Sequence, residues 1–222
     1  MNQNEPILTH RQIEPRKAGD ADLRPGVILL HGRGADEEDL AGLAGYLDPR
    51  LTIISPRAPF RFEYGGGYTW YDMDDIGAPE PDMFENSYQR LTRFIHHSVS
   101  SYRIDPQRLF LLGFSMGTMM AYAVALSMPR LFRGVVGNSG FVPQVEGSTP
   151  QWNELSGTGF FIAHGTFDPV IPVAMGRRTR DLFKQSNAEW IYREYPIGHE
   201  ISQESLQEQS SWITQLLNGK SV

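Results

Sequence analysis

The chain has 222 residues, 40% of them apolar and 21% charged, with a formal net charge of −6; this length suits one domain, 1–222, with a full-sized core. No lysine/arginine cluster stands out against the acidic balance, so nucleic acid is not expected as a partner. The absence of cysteine excludes disulfides, thiolate metal sites and a cysteine nucleophile, and it fits a reducing compartment.

Residues 1–6 are polar and lack the basic-then-apolar pattern of a secretory signal. The apolar runs are far too short to cross a bilayer, so the expectation is a cytoplasmic protein with no membrane insertion. Residues 7–13 read as an added antiparallel strand, with 17–22 as its turn. A buried strand at 27–30 leads to a helix at 36–47, with Leu40, Leu43, Ala44 and Leu47 on one face and Asp36 as cap. After a strand at 51–54 comes a long irregular stretch, 55–83, carrying Gly65-Gly66-Gly67 beside Phe60, Phe62, Tyr64, Tyr68, Trp70 and Tyr71. Loops of this length inside compact domains are usually functional. This one reads as part of a substrate wall, with a packed surface excursion as the alternative. It either lines a groove or packs on another copy, which leaves a homodimer open.

The second half alternates more regularly. A helix at 86–100 places Leu91, Phe94, Ile95 and Val99 together, and strand 109–112 precedes a helix at 116–128 that is apolar nearly all round. Strands at 134–136 and 160–163, a helix at 175–184, a strand at 189–195 suited to a sheet edge, and a helix at 202–217 complete the set. In the last helix Trp212, Ile213, Leu216 and Leu217 form the inner stripe. Short apolar strands alternating with helices predict an α/β class with a mostly parallel central sheet flanked by helices.

The chemistry centres on Gly113-Phe114-Ser115-Met116-Gly117. A bare G-x-S-x-G is weak, since chance supplies roughly 0.1 matches in a chain this long. Its position is what counts: it directly follows one predicted strand and opens a helix, the strand–turn–helix setting of the nucleophile elbow in the α/β-hydrolase fold. The serine there is held in a strained conformation, its glycines relieve the crowding, and the helix amino terminus favours developing negative charge. A serine hydroxyl needs a base, and the base needs a partner that fixes its tautomer. In this fold the chain order is serine, acid, histidine. Downstream of Ser115 stand only His164 and His199. His199 follows the last strand, where an imidazole reaches the elbow, so it is taken as base; His164 is read as a structural hydrogen-bonder. Asp168, in the loop after a buried strand, is taken as the acid, whereas Asp181 reads as a solvated helix charge. For the oxyanion the expected donors are the N–H of Met116 and, from the turn His31-Gly32-Arg33-Gly34, that of Arg33. His96 and His97 are adjacent on a helix and face apart. No metal-ligand spacing appears, and Gly65–Gly67 lacks the strand and lysine of a phosphate loop.

The sequence resembles the phospholipase/carboxylesterase family of α/β-hydrolases, which also holds acyl-protein thioesterases. The matching pieces are Leu30-His31-Gly32-Arg33-Gly34, Ser55-Pro56-Arg57-Ala58-Pro59, Trp70-Tyr71-Asp72, the Ser115 pentapeptide, Ser139-Gly140-Phe141-Val142-Pro143, the run from His164 to Pro172, and Gly198-His199. The resemblance implies a fold without a large lid, acting without cofactor on carboxylic esters or thioesters, with Trp70, Phe141 and Val170 near an acyl-binding groove. Two positions depart from the commonest pattern: Met116 stands where glutamine is frequent, and Arg33 where leucine is. An arginine at the mouth either attracts an anionic substrate or points to solvent. The expected function is a serine carboxylic-ester hydrolase acting through an acyl-enzyme on a small-molecule ester or thioester. The competing class is a non-catalytic binding module on the same fold; among enzymes a peptidase or amidase is the runner-up, and a dienelactone-type hydrolase lacks its usual cysteine.

Overall fold

The computed structural model describes residues 7–17, 21–75, 78–145 and 149–220. In chain order the elements are β1 (His10–Ile13), β2 (Arg24–Leu30), a 3₁₀ helix (Leu40–Gly45), β3 (Thr52–Pro56), and the short strands β4 (Phe60–Arg61), β5 (Tyr68–Thr69), β6 (Met73–Asp75) and β7 (Ala78–Pro79). Then follow α1 (Pro81–Ser101), β8 (Ile104–Phe114), α2 (Met116–Ser127), β9 (Gly134–Asn138), a 3₁₀ turn (Trp152–Glu154), β10 (Gly159–Gly165), α3 (Val173–Phe183), β11 (Glu189–Tyr195) and α4 (Gln203–Leu217). The main sheet has seven strands in the order β1-β3-β2-β8-β9-β10-β11. Every neighbouring pair is parallel except β1, which runs antiparallel to β3. The expected N-terminal strand is therefore present, starting at His10; part of its expected turn, 18–20, lies outside the described residues.

Period-two alternation divides the core between the two sheet faces. Ile28, Leu30, Leu109, Leu111, Phe160 and Ile162 pack with residues of α1, α2 and α3, while Val27, Leu29, Phe110, Leu112, Phe161 and Ala163 pack with α4 and the first 3₁₀ helix. Apolar residues on both faces are what a parallel sheet covered by two helical layers requires, and each such side chain contributes roughly 1.5–3 kcal/mol when buried. Helix α4 lies close against the sheet: a Cβ added at Gly134 or Gly159 would come within 2.9 Å of the Trp212 ring.

Two expectations change. Of the predicted helix 36–47 only Leu40–Gly45 is helical, and as 3₁₀. Gly42 and Gly45 weaken an α-helix there, and the start of the segment is drawn elsewhere. Ala35 bridges to Tyr68 in the excursion, and the Asp36 carboxylate accepts the Glu38 N–H in a local turn. The irregular stretch 55–83 is also more ordered than expected. It folds into the hairpins β4–β5 and β6–β7, and its last residues already belong to α1. Glu80 caps that helix by accepting the N–H groups of Asp82 and Met83, with Pro81 in the first turn. Trp70 and Tyr71 carry no exposed surface, whereas Tyr64 at the hairpin tip is 87% exposed.

Candidate active site

Ser115 occupies the turn between β8 and α2 with φ 53° and ψ −118°, a conformation that costs a non-glycine residue about 1–3 kcal/mol unless its surroundings enforce it. Here the enforcement is steric. A Cβ at Gly117 would stand 1.9 Å from the Leu30 carbonyl oxygen, and one at Gly113 would stand 2.6 Å from the Gly117 carbonyl. Gly117 lets α2 press its first turn against the end of β2, and Gly113 lets the same turn close on β8. The Ser115 N–H donates to the Asn138 carbonyl at 2.9 Å, tying the turn to β9.

The two partners arrive from later strand ends. Asp168 lies in the loop after β10 and His199 in the loop after β11, and the loops are joined by backbone bonds from Thr166 N–H to the Tyr195 carbonyl (2.8 Å) and from Phe167 N–H to the Ile197 carbonyl (3.0 Å). Gly165 allows this, since a Cβ there would sit 2.2 Å from the Gly198 carbonyl oxygen. His199 Nδ1 donates to Asp168 Oδ2 at 2.8 Å, which leaves Nε2 to accept the Ser115 hydroxyl at 3.0 Å. The Phe114 ring stands beside the imidazole, 4.9 Å between centroids. Asp168 Oδ1 accepts the N–H groups of Val170 (2.9 Å) and Ile171 (2.8 Å). Burial alone would raise the Asp168 carboxyl, but the His199 bond and the Ile171 and Val170 N–H groups together hold it below the ordinary carboxylate range. His164 is fully buried, with Nε2 bonded to the Ile171 carbonyl at 2.9 Å and 3.6 Å from Asp168 Oδ2, so it braces the acid loop rather than facing the serine.

Facing the elbow is the loop after β2. A Cβ at Gly32 would lie 3.4 Å from that of Ser115, so the backbone just before Arg33 passes beside the Ser115 side chain. Among the described residues the Arg33 N–H donates to no backbone carbonyl, while the neighbouring Gly34 N–H is taken by Tyr68 O at 2.8 Å. Met116 opens α2, and its N–H has no partner one turn back in the helix. Beneath them His31 is buried as the neutral imidazole: Nδ1 donates to the Gly32 carbonyl (2.7 Å), Nε2 accepts the Ala58 N–H (3.0 Å), and burial lowers its pKa. Trp70 Nε1 donates to the His31 carbonyl at 2.9 Å.

Of the residues placed near a groove by resemblance, Val170 is 55% exposed, whereas Phe141 and Trp70 are buried. A cleft of 370 Å³ runs between Val142–Val145 and α3, and none of Ser115, Asp168 or His199 lines it. Three features escaped the sequence reading. Phe167, beside the acid, is 72% exposed. Glu37, Arg57 and Tyr68 form a clamp on the loop that carries Arg33: Arg57 bonds both Glu37 carboxylate oxygens and the Tyr68 hydroxyl, and it stacks over the Tyr68 ring. Asn138 and Gln209 exchange amide hydrogen bonds in the core, joining β9 beneath the elbow to α4. The last two depend on contacts between residues far apart in the chain, so periodicity carries no trace of them.

A mostly parallel sheet whose hydroxyl, acid and imidazole come from the ends of β8, β10 and β11 in the chain order Ser115, Asp168, His199 is the arrangement of α/β-hydrolases. The chain belongs to the Phospholipase/Carboxylesterase family, whose profile it matches over residues 13–217. Its relatives include acyl-protein thioesterase 1 of Candida albicans, 26% identical over 220 residues, covering 90% of this chain and 95% of that protein. The carboxylesterase SOBER1 of Arabidopsis thaliana is 26% identical, covering 89% and 93%. Among solved structures, the Bacillus cereus carboxylesterase superposes with a TM-score of 0.83 at 22% identity, over 96% of this chain and 97% of that one, and shares the fold.

Proposed function

We propose that the chain is a single-domain serine hydrolase of carboxylic esters that works through an acyl-enzyme on Ser115. The observation that carries this reading is the unbroken line of hydrogen bonds from Ser115 Oγ through His199 to Asp168. Ser115 Oγ attacks the acyl carbon while His199 Nε2 takes its proton, and Asp168 fixes the tautomer and offsets the imidazolium charge. The N–H groups of Arg33 and Met116 receive the oxyanion, a role in which losing one donor typically costs ~3–4 kcal/mol. His199 then protonates the leaving group, and water repeats the sequence to release the acid. Val170 supplies exposed apolar surface beside the acid, with Phe141 and Trp70 as packed walls behind the reacting atoms. The reaction as written uses no metal or cofactor.

The thioesterase names among the relatives favour a second reading in which the acyl group arrives on sulfur; the acyl-enzyme is common to both. Either way the substrate is a small ester or thioester met in the cytoplasm, a setting that suits a chain without cysteine. In a homodimer the exposed Tyr64 hairpin would offer an apolar contact. The test compares wild type and Ser115→Ala on p-nitrophenyl esters of increasing chain length and on matched thioesters. Turnover in wild type, with a loss in Ser115→Ala about as large as removing the whole triad, supports the reading. Full turnover in Ser115→Ala would end it, and a strong preference for sulfur would select the thioesterase form.

A further inference from the structure

Most of this protein's arginines are occupied. Arg57 closes on Glu37, Arg50 on Asp48, Arg108 on Asp105, Arg177 on Glu194 and Arg193 on Glu208. Arg33 differs. Among the described residues its guanidinium lies within ion-pair distance of no carboxylate and makes no hydrogen bond; its one stacking contact is the Phe62 ring, 5.6 Å away. The acidic run that follows is turned elsewhere: Asp36 accepts the Glu38 N–H, Glu37 closes on Arg57, and Glu38 pairs with Arg11. The Arg33 side chain is exposed. Because the Arg33 N–H is assigned to the oxyanion, its guanidinium stands within one side-chain length of the scissile carbonyl.

We infer that Arg33 is a specificity-determining residue that selects esters carrying an anionic group, carboxylate or phosphate, a few bonds from the reacting carbonyl. This rests on the esterase reading and deepens it. An arginine left without a carboxylate partner presents a planar fork of donors suited to such a group. Phe62 limits the positions the side chain can take, so less freedom is lost when the anion binds. Arg61, over the Tyr68 ring at 5.7 Å, adds a second cation on the same hairpin; Glu63 shares that hairpin, which makes Arg61 the weaker contributor.

The experiment measures kcat/KM for a matched pair, the mono-p-nitrophenyl ester of glutaric acid and p-nitrophenyl pentanoate, in wild type, Arg33→Lys and Arg33→Gln. The acetate ester of glycerol 3-phosphate against that of glycerol forms a second pair that separates phosphate from carboxylate preference. The readout is the anionic-to-neutral ratio, in which any effect of a variant on the shared chemistry cancels. The expected ratio falls about three- to tenfold in Arg33→Gln and less in Arg33→Lys. In wild type alone it also falls as ionic strength rises, which keeps the test decisive even if a variant folds poorly. A ratio unchanged by both Arg33→Gln and salt, in an enzyme whose turnover still depends on Ser115, overturns the role of Arg33 and leaves the esterase reading standing. Turnover independent of Ser115 would instead remove the esterase reading itself.

Discussion

The two sides of the reaction centre are held by different means. On the serine side backbone meets backbone: Gly113, Gly117 and Gly165 each stand where an added Cβ would come within 2.6 Å of a neighbouring carbonyl atom. On the opposite side the loop at Arg33 is gripped by an excursion that reaches over it. Gly34 N–H donates to the Tyr68 carbonyl, Tyr68 N–H donates to the Ala35 carbonyl, and the Glu37–Arg57–Tyr68 clamp fastens the two. Sterics fix the Ser115 turn, whereas polar contacts that can be removed one at a time fix the Arg33 loop proposed to receive the developing charge. Substitutions should therefore act as all-or-nothing on the first side and as graded on the second.

Gly117→Ala should show the largest stability effect, because the new methyl group meets the Leu30 carbonyl at 1.9 Å. A loss of more than about 4 kcal/mol in denaturant unfolding is expected; a loss under 1 kcal/mol would mean that α2 does not press on β2 as described. Asp168→Asn should lower turnover by up to ~10⁴-fold through the wrong tautomer of His199, and steady-state kinetics on a neutral ester measures it. Its stability effect carries a pH signature. The folded-state pKa of Asp168 is depressed, so its ionised form contributes stability above the ordinary carboxylate value of about 4. That contribution is lost as pH falls through the lower folded value. The stability gap between wild type and Asp168→Asn should stay level from neutral pH to about 4 and close below it, as chemical unfolding across that range would show.

The graded side predicts smaller numbers. Glu37→Gln removes the charge that locks Arg57, whose hydrogen bond holds the Glu37 carboxyl below its usual pKa. Turnover should fall about tenfold with KM little changed, since the oxyanion donor acts in the transition state, while thermal stability drops by about 1 kcal/mol. A rise in KM at constant kcat would place the clamp on substrate binding instead. Tyr64→Ala, at the 87% exposed hairpin tip, should change stability by no more than about 0.5 kcal/mol.

What the sequence revealed follows the same division. Ser115 and its glycines were legible because the constraint is local: a strand, a turn that only small neighbours allow, and a helix, all within one short window. His199 and Asp168 were legible because the fold dictates their order along the chain and few candidates compete. Trp212, Ile213 and Leu216 were legible as a buried stripe for a similar reason, since helical period shows in any window. The 36–47 segment reads as an α-helix because its apolar spacing is helical, while the bridge from Ala35 to Tyr68 is set by residues some thirty positions away. The hairpins within 55–83 and the Asn138–Gln209 pair were hidden for that same reason: long-range partners override or replace local pattern.

The most direct test of the central claim is the intact mass of wild type and Ser115→Ala after incubation with a fluorophosphonate probe, followed by peptide mapping. The account predicts a single covalent adduct on wild type, mapped to Ser115, and none on Ser115→Ala. An adduct that persists in Ser115→Ala, or a wild type left unlabelled while it turns over esters, would contradict it.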